Sequence, residues 1–195
     1  MSKILIVVDM QYDFITGPLG TKEAQAIVPI VADAIRKRAS EDTVVIFTKD
    51  THSENYMDTL EGKNLPVPHC IKGTSGHYII DEVFEAYLDV KHQYADSGEV
   101  YPYLSGDSII KIEKPSFGSI ELQNILYDID DRIGIEEVTL MGLCTGICVM
   151  SNAILVKATL PEVPVNVVAD CCACVTPESH RTALEAMKLC QINII

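Results

Sequence analysis

Three kinds of residue in this chain have types and positions suited to chemistry. They are a cysteine at the head of a helix, an aspartate and a lysine at the ends of buried strands, and an Asp-x-His pair. Cys148 lies in the stretch Val138-Thr139-Leu140-Met141-Gly142-Leu143-Cys144-Thr145-Gly146-Ile147-Cys148-Val149. This stretch begins as a short apolar strand, breaks at Gly142 and restarts as helix near Thr145, because Met150, Ala153, Ile154 and Ala158 recur at three- and four-residue intervals. Cys148 then falls in the first helical turn, where unpaired amides and the positive end of the dipole favour thiolate, the nucleophilic form. A small buried core residue is the competing role, since free cysteine is often fully buried. Asp9, Asp50 with His52, and Lys114 each follow a strand. An acid, a lysine and a cysteine meeting at one edge supply a proton-transfer group, a cation that favours thiolate, and a nucleophile. Any one of them alone is commonly a solvated strand end. Asp50-x-His52 puts two metal ligands on one side of an extended segment, and His69 can close the set from a loop.

The elements that must position these groups can be read from the apolar pattern. Lys3 to Val8 is a continuous aliphatic run, as expected of a strand buried on both faces. A helix is predicted from about Lys22 to Ala39, with Ala26, Ile27, Ile30, Val31, Ala34 and Ile35 on its apolar face. Thr43 to Thr48 is a second strand, and a strand, helix and strand at this spacing make a parallel βαβ unit. Residues 53–106 carry many Pro and Gly and one helix around Ile80 to Leu88; so long an irregular stretch reads as a loop covering the site. Ser108 to Glu113 is a third strand, followed by a helix from Ser119 through Leu126. Glu137 to Met141 is a fourth, Pro164 to Ala169 a fifth ending at Asp170, and Gln191 to Ile195 a last short one. Thr176-Pro177-Glu178 starts a helix that runs to about Leu189. This alternation predicts a three-layer α/β fold, a mostly parallel, doubly wound sheet with helices on both faces. In such sheets the ligand site lies beyond the carboxyl ends of the strands, where strand order reverses.

At 195 residues the chain suits one domain, 1–195, with a metal-site or lid loop over about 53–106. Its apolar runs are too short to span a bilayer, and its start lacks a cleavage site, which points to the cytoplasm. A net charge of −13 disfavours nucleic acid and anionic membranes as partners. Seven cysteines without a regular framework fit a reducing compartment. Cys171, Cys172 and Cys174 lack the C-x2-C pairs of a structural zinc site and read as packing residues.

Val8-Asp9-Met10-Gln11-Tyr12-Asp13-Phe14, Asp50-Thr51-His52, Lys114 with Phe117, the turn Gly142 to Val149, and Asp170-Cys171-Cys172-Ala173 with His180 together resemble the isochorismatase-like cysteine hydrolases, and among them the nicotinamidases, or pyrazinamidases. The resemblance covers nearly the whole chain. It implies a triad of Asp9, Lys114 and Cys148, a cis peptide bond between Leu143 and Cys144, and oxyanion donors in the amides of Cys144 and Cys148. Glu61, Leu65-Pro66-Val67-Pro68-His69 and Gly73 to Gly76 look like the metal loop of nicotinamidases. The implied ligands are Asp50, His52, Glu61 and His69, for a divalent ion, with zinc ahead of iron or manganese. Mixed carboxylate and imidazole donors do not decide among those metals. The implied reaction is hydrolysis of nicotinamide, and also of pyrazinamide, through a thioester, with a small-molecule amide as partner; a homo-oligomer is compatible with the sequence. Two departures stand out. Gly146 occupies a place where many relatives carry Asp, and the chain has no tryptophan to stack on a pyridine ring, Pro66 being nearest that place. Phe14 and Phe117 remain as ring-packing groups. His77, His92 and His180 read as structural or solvent-facing. The rival readings are a metal-free amidohydrolase acting on a ureido or carbamoyl compound, a non-catalytic binding protein on the same fold, and a redox sensor pairing Cys144 with Cys148.

Overall fold

The aliphatic runs become six strands in the computed structural model, which describes residues 1–40, 42–95 and 110–195. They are β1 (Ser2–Val8), β2 (Thr43–Asp50), β3 (Ile110–Lys114), β4 (Ile135–Leu143), β5 (Val165–Ala173) and β6 (Asn193–Ile194). They form one sheet in the order β3-β2-β1-β4-β5-β6. All neighbouring pairs are parallel, where the sequence pointed to a mostly parallel sheet. Between the strands lie α1 (Tyr12–Ile15), α2 (Lys22–Arg38), α3 (Leu60–Asn64), α4 (Asp81–Ala95), α5 (Ile120–Ile133), α6 (Met150–Thr159) and α7 (Pro177–Leu189).

The chain steps from β1 outward to β2 and β3, then returns to the other side of β1 for β4, β5 and β6. With right-handed crossovers, that reversal puts α2 and α4 on one face and α5, α6 and α7 on the other. The contacts agree: α2 packs with α4, and α6 packs with both α5 and α7. The strand order reverses between β1 and β4, the place where a parallel sheet opens a crevice at its carboxyl edge.

The described segments differ from the sequence reading in several places. The buried face of α2 is Ala24, Ile27, Val28, Val31, Ala32, Ala34 and Ile35, while Ala26 and Ile30 are exposed. The helix is rotated so that Val28, not Ile30, turns to the sheet. Helix α4 continues to Ala95 because Val90 extends the buried stripe of Val83, Ala86 and Tyr87. Residues 53–80 are not a bare loop, since they hold α3 and two short 3₁₀ turns, Tyr56–Asp58 and Ser75–His77. Helix α5 runs past Leu126 to Ile133, with Ile129 buried and Gly134 ending it at φ 73°. Strand β5 passes through Asp170, because its register against β4 shifts between Leu140 and Gly142 and the bulge turns Asp170 to solvent. An acid there marks the bulge and not the strand end. Strand β6 keeps only two residues. Ser108 and Ile109, the expected start of β3, lie outside the described residues.

Candidate active site

The reversal of strand order brings two strand ends together. Gly142 of β4 sits at φ 123°, and any side chain there would run into the carbonyl of Val8 on β1. That close approach needs glycine. Beyond Val8, Asp9 adopts φ 48°, a left-handed conformation costly for a residue with a side chain and found disproportionately at functional sites. Lys114 ends β3, and Cys148 lies in a single wide π-type turn, Thr145–Val149, that leads into α6. Asp9 is fully buried, Lys114 is 1 % exposed and Cys148 6 %.

These three side chains meet. Lys114 Nζ lies 2.6 Å from Asp9 Oδ2 and 3.5 Å from Cys148 Sγ, and it donates to the carbonyl of Ser116 at 3.0 Å. Asp9 Oδ1 accepts from the Thr48 hydroxyl at 2.7 Å. Oδ2 contacts the ammonium but accepts no well-directed hydrogen bond among the described residues, which leaves it open to a mobile proton. Burial pushes the Cys148 thiol well up and the Asp9 carboxylate adds to this, with only Lys114 opposing. Burial also raises the Asp9 carboxyl against the pull of Lys114. Burial works to lower Lys114, but Asp9, Cys148 and Asp50 outweigh it and keep the ammonium charged. Burial therefore overrides the helix-end effect expected from the sequence. Burial favours the thiol over the thiolate, and beside it stands a carboxylate with raised proton affinity.

A second group adjoins the first. One ligand atom each from Asp50, His52, Glu61 and His69 lies within 4.8 Å of all the others. His52 Nε2 is 3.0 Å and His69 Nε2 3.2 Å from Asp50 Oδ2, while Glu61 Oε1 is 3.7 Å and 3.9 Å from the same two nitrogens. His69 Nδ1 donates to the carbonyl of Val67 at 2.8 Å, which turns Nε2 toward the group. Two imidazoles and two carboxylates converging in this way fit a divalent ion. Lys114 links the two groups, its Nζ lying 3.5 Å from Asp50 Oδ1.

Between the groups opens a cavity of about 320 Å³, lined by Phe14, Leu19, Thr21, Leu65 and Phe117 together with Asp50, Glu61, His69, Cys144, Ile147, Cys148 and Val175. Its wall is mostly apolar, and both phenylalanines marked in the sequence reach it, Phe14 tilting against the His69 ring. Leu65 lines it where the sequence pointed to Pro66, which is exposed. The Leu143–Cys144 peptide bond is cis. His77 is buried between Lys49 Nζ and the Thr51 hydroxyl, and His180 meets the Thr145 hydroxyl at 2.8 Å; His92 is exposed.

Four residues that support the site were given no role by the sequence reading. Gln11 brackets Asp50, accepting from its amide at 2.7 Å and donating to its carbonyl at 2.8 Å. It also donates to the carbonyl of His77 at 3.0 Å. Asp13 accepts from the amide of Cys70 at 2.7 Å, pinning the residue after His69, and Gly76 packs so closely on that carboxylate that no side chain fits there. Thr48 holds Asp9, as described above. Asn152 donates to the carbonyls of Cys148 at 2.8 Å and Phe117 at 3.1 Å and accepts from Ser119 N, tying the Cys148 turn to the loop after Lys114. The signal for Gln11 and Asp13 was their place in the stretch Val8 to Phe14 right after a buried strand, which carried the resemblance but named no role for them.

Comparison with known proteins accords with this geometry. The model of the isochorismatase domain matches residues 3–95 and 96–195. A nicotinamidase/pyrazinamidase of Mycobacterium tuberculosis is 26 % identical over 197 residues, 99 % of this chain and 98 % of that one. The crystal structure of a pyrazinamidase/nicotinamidase from Streptococcus mutans is 29 % identical with a TM-score of 0.79, covering 100 % of both chains. A pyrazinamidase of Pyrococcus horikoshii in complex with zinc is 26 % identical with a TM-score of 0.74, covering 100 % of this chain and 99 % of that one. Among the described residues, no helix is long and apolar enough to cross a membrane.

Proposed function

The chain belongs to the isochorismatase family of hydrolases, and from that premise we propose that it is a cysteine amidohydrolase converting nicotinamide to nicotinate and ammonia, with pyrazinamide also accepted. The observation that carries the reading is the contact of Lys114 with both Asp9 and Cys148, where Cys148 lines a mostly apolar cavity whose wall also holds Asp50, Glu61 and His69 of the four-donor group. Residues 1–195 act as one catalytic domain, with Asp50 supplied by the end of β2, His52 from just beyond it, and Glu61 and His69 by the described part of the expected 53–106 loop, whose residues 96–106 lie outside the described residues. Seven free thiols suit a reducing cytoplasmic setting.

Asp9 Oδ2 takes the Cys148 proton as sulfur attacks the carboxamide carbon, and Lys114 holds acid and sulfur together while balancing the charge. The amides of Cys144 and Cys148 receive the developing oxyanion. Collapse expels the amine, which leaves as ammonia with the proton from Asp9. Asp9 then takes a proton from water, the resulting hydroxide attacks the thioester, and the proton returns to the departing sulfur. Phe14 and Phe117 hold the ring, and their apolar surfaces exclude water from the attack. Asp50, His52, Glu61 and His69 would hold a divalent ion, zinc above iron or manganese, which would supply Lewis acidity beside the cavity.

The test is ammonia release from nicotinamide, pyrazinamide and a ureido compound, with and without a chelator, alongside elemental analysis. Turnover of the two ring amides with stoichiometric metal is expected. Turnover of the ureido compound alone without metal would replace this reading with the metal-free one, and retained turnover in Cys148→Ala would remove the nucleophile.

A further inference from the structure

Cys144 and Cys174 form a thiol pair that hydrolysis does not use. In the parallel ladder of β4 and β5, Leu143 stands beside Ala173, so Cys144 and Cys174 are the next residues out of two neighbouring strands. Paired strands run about 4.8 Å apart, inside the Cα separation of roughly 4.4–6.8 Å that a disulfide spans. The Cys144 side chain is the largest influence on the Cys174 thiol, and against the effect of burial it and the neighbouring polar groups hold Cys174 down to about 5, while Cys144 is pushed up by the same neighbour and by burial.

Gly146 belongs to this arrangement. A Cβ there would meet Cys174 Sγ at 3.5 Å and Ala183 Cβ at 3.2 Å. The sulfur therefore fills the space beside Gly146. The two thiols also face different cavities. Cys174 lines a cleft of about 560 Å³ between the nucleophile turn and α7, whereas Cys144 lines the active-site cavity. A small oxidant can reach the anionic sulfur from the cleft without entering the active site.

We propose that Cys144 and Cys174 are an oxidation site, closing to a disulfide under hydroperoxide and thereby switching off hydrolysis reversibly. The Cys174 thiolate attacks the peroxide, the O–O bond breaks, and sulfur becomes a sulfenic acid as hydroxide leaves. Cys144 sulfur then attacks the sulfenic sulfur, the S–S bond forms, and the hydroxyl leaves as water with the Cys144 proton. Two electrons have passed from the two thiols to the peroxide, and a dithiol reductant returns them. Linking Cys144 pulls on the residue whose amide serves the oxyanion. This last step rests on the function proposed above, but formation of the disulfide does not.

The full chain is titrated with hydrogen peroxide, its linked peptides are mapped by mass spectrometry, and ammonia release from nicotinamide is followed before oxidation, after it, and after dithiothreitol. A Cys144–Cys174 peptide should accumulate in step with a loss of activity of tenfold or more, and both should reverse. Cys174→Ser should keep its basal rate, form no such peptide and show no dithiothreitol-reversible loss. A Cys144–Cys148 peptide, or Cys174 oxidised without a partner, would overturn the pair. Accumulation of the disulfide with undiminished activity would overturn the switch. Absence of ammonia release from the reduced chain would sink the nicotinamidase reading and leave the peptide map to judge the pair.

Discussion

Asp9 and Asp50 end adjacent parallel strands, both are buried, and both approach Lys114, at 2.6 Å and 3.5 Å. Their proton affinities nevertheless diverge. Asp9 has the hydroxyl of Thr48 and a single ammonium, and burial wins, raising its carboxyl. Burial acts in the same direction on Asp50, but His52, His69 and Lys114 together overcome it and hold that carboxyl far below its usual range. Two neighbouring acids are thereby pushed in opposite directions, Asp9 toward holding a proton and Asp50 toward staying ionised. The division is set by what faces each side chain, and it suits the base and the metal ligand that the proposed function assigns to them.

The strongest way to break the comparison is to neutralise one acid at a time. Asp9→Asn should lower kcat by on the order of 10³-fold, within the range for loss of a general base, while metal content by elemental analysis stays at the parent value. If metal were lost in parallel, the two acids would not be separate in role. Asp50→Asn should do the reverse. Metal affinity by chelator competition should fall by more than the roughly 10–100-fold typical of losing an outer-shell partner, with alkylation of Cys148 by iodoacetamide little changed. Loss of Cys148 reactivity in this variant would merge the two groups into one.

This division was only partly legible in the sequence. Asp9 and Asp50 could be placed at one sheet edge because the runs before them are apolar on both faces, and Lys114 because the alternating run Ile110 to Glu113 stops at Pro115. Cys148 was legible from the Gly142 break and the helical period behind it. His69 and Glu61 stood out only through the local words around them, since no periodicity runs through residues 53–80. Gln11, Asp13 and Asn152 act through hydrogen bonds that span 39, 57 and 35 residues, and no local pattern reports which distant segment a side chain will meet. The rotation of α2 and the outward bulge at Asp170 were misread for a related reason. In both, the deciding fact is which neighbour a residue packs against, and apolar spacing leaves that open by one residue. Cys174 looked like packing because its partner, Cys144, lies 30 positions away on the next strand.

A subtler break acts on the support of one acid alone. Gln11→Met removes both hydrogen bonds that fix the backbone of Asp50 but keeps the volume of the side chain. Metal affinity should drop roughly 10–100-fold, as for other outer-shell partners, with the Asp9 contacts intact. Unchanged affinity would mean that the strand itself, without Gln11, is enough to aim Asp50.

The smallest change tests the proton carrier. Thr48→Val keeps the shape of the residue and deletes only the 2.7 Å bond from its hydroxyl to Asp9 Oδ1. That bond stabilises the carboxylate and lowers the Asp9 pKa, so its loss must raise a pKa that burial has already raised. Asp9 serves as base only when ionised, so activity disappears as pH falls through that pKa, and the acid limb of the kcat profile should move up. Hydrogen bonds to charged groups contribute about 1.5–3 kcal/mol, and 1.36 kcal/mol corresponds to one pKa unit. With the ammonium of Lys114 still 2.6 Å away to hold the anion, a shift of about one pH unit is expected, and the basic limb should stay in place. An acid limb that did not move, or moved down, would mean that a different group carries the proton, and the contrast between the two aspartates would lose its chemical meaning.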